Sequence, residues 1–215
     1  MYGGSLYAVE LTGAKAVFVD SETETGGIDI YAIERAITQN TRAIAVVHYL
    51  GIPVDMPRVI DIAGRHDLFV VEDCALSLGA RVEGKHVGLH GDAGGFSFYP
   101  VKHITTGDGG MLVSRHENVV GAISRFRAFN VDRTHTERKI PGLYDVVGLG
   151  MNYRMSEMQA ALGSVQLKRV PEILKRRADN FGLLKEGLSK ISSVSVLDSP
   201  GNGIESSYYC LTALL

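Results

Sequence analysis

The sequence predicts an α/β fold, a mainly parallel sheet flanked by helices. Apolar runs of strand length alternate with helical patterns, and those runs are apolar on both faces, as in sheets covered on both sides. Two of the runs also close on carboxylates. Ala14 to Asp20 reads as the first buried strand. Asp29 then opens an amphipathic helix with Ile30, Ile33 and Ile37 on one face. Arg42 to Tyr49 is a second strand, and a helix follows from about Pro57 to His66, with proline in its first turn. Leu68 to Asp73 is a third strand. Gly84 to Gly95 is turn-like, Gly95 to Tyr99 a short strand and Met111 to Ser114 another, before a helix from about Glu117 to Phe129. Asn130 to Leu149 has weak periodicity and reads as a long ordered loop. A long helix starts near Ser156, carries Met158, Leu162, Val165 and Leu167 as its apolar positions, and is interrupted or bent at Pro171 before resuming to about Lys190. Val194 to Leu197 and Tyr208 to Leu215 read as strands of something new.

Composition narrows the function classes. The chain has 215 residues, 45% of them hydrophobic, enough for a sizeable core. A net charge of -2, mixed along the chain, gives no electrostatic reason to seek nucleic acid or a membrane surface as partner. The densest basic cluster, Lys175-Arg176-Arg177, reads as a solvated helix face. Cys74 and Cys210 lie far apart without metal-ligand spacing, which suits reduced thiols. No apolar run approaches the ~20 residues of a membrane span, and the opening residues lack the regions of a secretory signal. A cytoplasmic protein with no metal site is expected. Leu211 to Leu215 resembles a strand cut off in its middle, so the chain is expected to be a fragment.

Chemistry concentrates on Asp73, Ser97 and Lys102. In open α/β sheets ligands bind beyond the carboxyl ends of the strands, where Asp73 and His48 fall. A lysine forms imines with aldehydes once partly deprotonated. Pyridoxal phosphate asks a protein for three things: such a lysine, an acid partner for its pyridine nitrogen, and donors for its phosphate. Asp73, Lys102 and Ser97 match these needs in turn, and Gly107, Gly109 and Gly110 let the chain turn tightly after the lysine. Taken singly, each has an ordinary explanation: a solvated lysine, a helix-capping aspartate, a small serine in a strand. His48 reads as a satisfied histidine at a strand end.

The wording of the whole stretch is more specific. Val70 to Ala75 (Val-Val-Glu-Asp-Cys-Ala), Gly84 to Gly88, Gly91 to Lys102 (Gly-Asp-Ala-Gly-Gly-Phe-Ser-Phe-Tyr-Pro-Val-Lys) and Thr105 to Met111 together resemble the DegT/StrS-type nucleotide-sugar aminotransferases. Gly150 to Gly163 and Val47 to Gly51, with Asp55 and Met56, resemble further segments of that family, and the likeness covers roughly residues 1 to 190. The resemblance implies the large domain of a fold-type I pyridoxal 5′-phosphate-dependent transferase over residues 1–165, and over 166–215 a connecting helix and the start of a truncated small α/β domain. It implies a homodimer that moves an amino group, with glutamate the expected donor, to a keto group of a nucleotide-linked deoxysugar, in cell-surface polysaccharide or secondary-metabolite sugar biosynthesis. Lys102 would bind the cofactor covalently and shuttle protons. Asp73 would pair with its ring nitrogen and Ser97 with its phosphate, Asn152 would reach the phosphate in the neighbouring subunit, and Tyr2 would stack on the ring.

There are departures from the family pattern. Leu76 stands where the family often has glutamine, glutamate or histidine near the ring, and the family's upstream phosphate-binding turn is expected to lie outside this fragment. A dehydratase branch on the same fold replaces the lysine with histidine. Here the lysine is present and His103 follows it, which favours transamination. The rival readings are that dehydratase and a non-catalytic fragment. Arg133, Arg138 and Lys139 of the long loop are not assigned to the site.

Overall fold

The computed structural model describes residues 3–132, 135–137, 139–140 and 142–215. A short helix α1 (Gly3–Glu10) comes first. Helix α2 (Ile30–Ala36) is capped by Asp29, whose side chain accepts the Tyr31 N–H at 2.8 Å. Strand β1 (Ala43–Val47) leads through a 3-10 turn at Tyr49–Gly51 to helix α3 (Met56–His66), capped by Asp55 with proline in its first turn. Strand β2 (Phe69–Asp73) follows, then a small hairpin of β3 (Arg81–Val82) and β4 (Lys85–His86). Strands β5 (Ala93–Ser97) and β6 (Gly110–Val113) precede helix α4 (Glu117–Phe126). Helix α5 (Glu157–Leu167) opens on a capping box in which Ser156 and Gln159 satisfy each other's backbone. A 3-10 turn at His135–Glu137, helix α6 (Val170–Leu188) and three two-residue strands, β7 (Ser195–Val196), β8 (Ile204–Glu205) and β9 (Ala213–Leu214), complete the described elements.

The main sheet has the order β1-β2-β5-β6, with β1, β2 and β5 parallel and β6 antiparallel. Alternation along the strands gives it two different faces. Ile44, Val46, Val70 and Glu72 are buried on one face, where Ile30 and Ile33 of α2 and Val59, Ile62 and Ala63 of α3 join them in the core. On the other face Phe69 is 66% and Val71 44% exposed. Asp73 is on this second face, at the carboxyl end of β2.

The alternating α/β reading holds, with corrections. Ala14 to Asp20 forms no strand: Val17 and Phe18 are exposed and find no ladder partner among the described residues, and an isolated bridge between Ser21 and Ile28 is the extent of pairing there. The turn-like Gly84 to Gly95 contains one strand of a hairpin, since Gly84, with φ of +74°, turns the chain between β3 and β4. Of Tyr208 to Leu215 only Ala213–Leu214 is strand, and Ile204–Glu205 instead extends the hairpin by pairing with β3. The long helix is interrupted at Pro171, as expected, and so forms two helices. The Pro171 nitrogen has no hydrogen to offer the Leu167 carbonyl, and α5 ends at Leu167. The positions assigned to the apolar face of α5, Met158, Leu162, Val165 and Leu167, are all exposed. Lys175 and Arg176 lie on a solvated face, as expected, but Arg177 turns inward.

Two glycines test the packing in opposite directions. A Cβ on Gly94 would lie 2.3 Å from the Gly88 Cα and 2.6 Å from its carbonyl oxygen, contacts that only backbone movement relieves. Gly94→Ala is expected to lower unfolding free energy by about 2 kcal/mol or more. Gly64, inside α3, has open space at that position. Gly64→Ala is expected to raise stability by about 0.5–1 kcal/mol, with urea unfolding as the measurement for both.

Candidate active site

The parallel register sets Asp73 opposite Gly95, and Ser97 follows two residues later on the same face of β5. Asp73, Gly95 and Ser97 therefore line one patch at the carboxyl end of the sheet. A Cβ on Gly95 would meet nothing within 4 Å, so the space beside the Asp73 carboxylate is open. Asp73 Oδ1 accepts the Ala75 N–H at 3.0 Å, and Oδ2 has the Ser5 hydroxyl at 3.4 Å. The Ser97 Oγ accepts the Tyr99 N–H at 3.3 Å, which leaves its own hydrogen free to donate elsewhere.

Lys102 sits on the excursion between β5 and β6. That loop is closed on itself. The Phe98 carbonyl accepts the Thr106 N–H at 3.0 Å, and the Phe98 N–H donates to the Gly109 carbonyl at 2.8 Å. Gly107 and Gly109 take φ of +81° and +146°, conformations that a side chain disfavours. Helix α5 braces the loop through the Gln159 amide, which donates to the Asp108 carbonyl at 3.0 Å. The Lys102 N–H donates to the Tyr99 carbonyl, so a tight turn lifts the side chain out of the strand. Lys102 is half-buried, and among the described residues neither it nor Asp73 belongs to an ion pair.

Beneath this patch lies a second carboxylate. Glu72 is fully buried and accepts from the Gly91 N–H at 2.6 Å, the Gly88 N–H at 2.7 Å and His48 Nε2 at 3.0 Å. His48 Nδ1 accepts the Val54 N–H at 3.2 Å, which fixes the tautomer that donates to Glu72. Burial raises the Glu72 carboxyl, but the His48, Gly91 and Gly88 donors outweigh it and leave the group below the ordinary glutamate value. His48, Glu72 and Cys74 have ligand atoms within 4.8 Å of one another. Both His48 nitrogens and both Glu72 oxygens are already engaged, so these bonds account for the group. His48 is the satisfied histidine that its strand-end position suggested.

Sequence reasoning missed a third layer. The segment Ser206 to Tyr209 crosses the strand-end loops: the Ser207 N–H donates to the Gly51 carbonyl, its hydroxyl lies 3.2 Å from the Leu76 carbonyl, and the Tyr209 N–H donates to the Leu50 carbonyl. His103 Nε2 donates to the Ser207 carbonyl at 2.9 Å. Burial, with the nearby charges of Arg177 and Lys102, lowers the His103 imidazole to about 4. Lys102 Nζ lies 5.5 Å from the Tyr209 ring centroid. No local signal announces these contacts. For Glu72 the signal that could have found it is a second carboxylate beside Asp73 in an otherwise apolar run.

Asp73 and Ser97 are thus brought onto one patch, with the Lys102 loop springing from the end of the same strand as Ser97. Asn152 is exposed on a bridge to Ala128 and makes no hydrogen bond to Asp73, Ser97 or Lys102. Tyr2, Arg133 and Arg138 lie outside the described residues, and Lys139 is exposed. Leu76 presents its carbonyl to Ser207.

Solved structures with this architecture define the class. The chain superposes with a TM-score of 0.90 on an aminotransferase from Psychrobacter cryohalolentis, at 32% identity over 97% of this chain and 55% of the other. It superposes equally, at 0.90, on DesV of S. venezuelae in complex with a ketimine intermediate, at 29% identity over 99% of this chain and 55% of that one. The fold is that of the fold-type I sugar aminotransferases. The profile of the DegT/DnrJ/EryC1/StrS aminotransferase family matches residues 2–215, and the chain belongs to that family. The GDP-perosamine synthase of Escherichia coli O157:H7 is 36% identical over 193 residues, 90% of this chain and 51% of the relative. The chain spans about half the length of the curated relatives it matches.

A pH dependence follows from His103. It is neutral in the folded protein, whereas in the unfolded chain it takes up a proton near its ordinary value of 6.5. Stability from this group is complete above pH 6.5 and is lost as the pH falls toward 4. Urea unfolding is expected to show a loss of about 1–2 kcal/mol between pH 7 and pH 5. His103→Asn is expected to shrink that loss without abolishing it, because burial also depresses His86.

Proposed function

We propose that this chain carries the cofactor-binding part of a pyridoxal phosphate-dependent aminotransferase. The enzyme passes an amino group from an amino-acid donor, glutamate, to a keto group of a nucleotide-linked deoxysugar. The observation that carries the reading is the shared patch of Asp73 and Ser97 with open space at Gly95, next to the loop that presents Lys102. That donor set fits the cofactor. A carboxylate outside any ion pair among the described residues suits a protonated ring nitrogen, a serine hydroxyl that can donate suits a phosphate, and an amine likewise outside any ion pair among them suits an aldehyde.

Bound there, pyridoxal phosphate supplies an aldehyde for covalent attachment and a ring that accepts the electron pair released at the substrate carbon. The remaining work belongs to the side chains. Asp73 holds a proton on the ring nitrogen, and its carboxylate is aimed by the Ala75 N–H. Ser97 donates to the phosphate and fixes the register of the ring. Lys102 Nζ would provide the attachment point and, with its amine free, would carry a proton between the substrate carbon and the cofactor carbon in each half of the reaction. The tight turn at Tyr99–Lys102 and the brace from Gln159 limit how far Nζ travels.

The rest of the reading extends to the whole protein. It covers a large domain over 1–165 with the remainder belonging to a small domain, a cytoplasmic homodimer in which Asn152 reaches the partner's cofactor and Tyr2 stacks on the ring, and a role in polysaccharide or secondary-metabolite sugar biosynthesis. The relative named GDP-perosamine synthase supports a nucleotide-sugar substrate. Among the described residues no helix is long and apolar enough to cross a membrane.

Borohydride reduction of the protein with pyridoxal phosphate, followed by peptide mass mapping, is expected to leave the phosphopyridoxyl group on Lys102 and none in Lys102→Ala. A label on another residue would overturn the assignment. Glutamate is expected to shift the visible absorption of the loaded protein to the amine form of the cofactor, an effect a dehydratase on this fold would not give. Asp73→Asn is expected to slow that shift by about a hundredfold or more.

A further inference from the structure

We propose that Tyr209 is a positioning residue for Lys102: its ring receives the lysine's ammonium and sets where the amine rests, and Arg177 holds that ring in place. The inference deepens the reading of Lys102 as the reactive amine, but its test reads the amine without the cofactor.

The geometry is that of a cation against an aromatic ring. Lys102 Nζ stands 5.5 Å from the Tyr209 centroid, inside the ~6 Å over which a ring attracts an ammonium. Because neither an ion pair nor a carboxylate competes for the Lys102 amine among the described residues, the ring is its partner.

Tyr209 is itself held from several directions, at its backbone and at its ring. Its backbone N–H donates to the Leu50 carbonyl at 3.2 Å. Arg177 Nη1 donates to the Tyr209 carbonyl at 2.8 Å and to the Tyr208 carbonyl at 3.3 Å, while its Cζ lies 6.0 Å from the ring. The His103 imidazole stands 5.6 Å away, tilted by 51°, and donates to the Ser207 carbonyl. A ring fixed this way is a fixed address for the amine, whereas the four-carbon lysine stem alone would let it wander.

The arrangement has a kinetic consequence. An ammonium resting on the ring must leave it and give its proton to water before the neutral nitrogen attacks an electrophile, so the ring slows reaction in proportion to the time the ammonium spends there. Removing the ring frees the amine, and removing only the hydroxyl does not.

The test is trace acetylation of the 215-residue protein freed of pyridoxal phosphate, with acetic anhydride at pH 8, read by peptide mass spectrometry as acetylation of Lys102 relative to exposed Lys85 and Lys168. Tyr209→Leu is expected to raise the relative rate at Lys102 by about threefold, and Tyr209→Phe to leave it at the wild-type level. Tyr209→Met, which keeps bulk without a ring, is expected to behave as the leucine variant and serves in its place should leucine prevent folding. Lys102 reacting at the wild-type rate in both ringless variants, or reacting as fast in Tyr209→Phe as in the ringless variants, would overturn the proposal. A clear contrast at Lys102 in a protein that takes no phosphopyridoxyl label there would support the resting place for the amine and sink the cofactor reading alone.

Discussion

The buried carboxylate of Glu72 is the constraint around which the sheet's carboxyl end is built. An ionised side chain removed from water survives only where donors replace its hydration, and here the protein supplies three N–H groups. Each donor belongs to a different stretch: His48 from the end of β1, Gly88 from the turn after β4, Gly91 from the approach to β5. One side chain therefore fixes the relative height of three strand-end segments. His48 extends the linkage to Val54 and so to the start of α3. The glycines are part of the same requirement. A side chain on Gly91 would press within 2.6 Å of the Val70 carbonyl, so the backbone reaches the carboxylate only if that side chain is absent.

Asp73, one residue later, points to the other face. Strand alternation thus gives two consecutive carboxylates opposite tasks. Glu72 is spent entirely on internal donors, while Asp73 retains an oxygen whose protein partner is a hydroxyl at 3.4 Å. The rigidity of the first supports the usefulness of the second, because a carboxylate that must meet a ring nitrogen has to be held by something that does not itself move. The polar network beneath does that holding, and the parallel pairing of Asp73 with Gly95 sets the spacing to Ser97.

How much of this was legible in the sequence depends on the range of the interaction. The helix starts at Asp29 and Ser156 could be read because a cap acts within three residues, that of α3 because proline favours a first turn, and β1, β2, β5 and β6 because their apolar runs are short and bounded. The candidate residues Asp73, Ser97 and Lys102 were legible as wording, since that stretch is continuous in the chain. Ala14 to Asp20 misled because an apolar run announces burial without naming a partner, and pairing is what makes a strand. The exposed positions of α5 misled in the same way. Arg177 could not be told from Lys175 and Arg176 by spacing, because its partners are carbonyls more than thirty residues away.

That last example bears on how the site is assembled. The loop carrying Lys102 has good local closure, but local closure alone leaves a lysine free to sample many positions. Its neighbour His103 is tied to Ser207 across 104 residues of sequence, and the same segment is tied to Gly51 and Leu76. Loops that follow β1, β2 and β5 therefore share one fastening, and none can shift without straining bonds to the others. The charge balance fits this role: His103 is kept neutral in the company of Lys102 and Arg177, so the fastening adds no third positive charge beside the amine. The reactive group is thus specified by its own sequence motif, while its position is specified by residues a hundred places away.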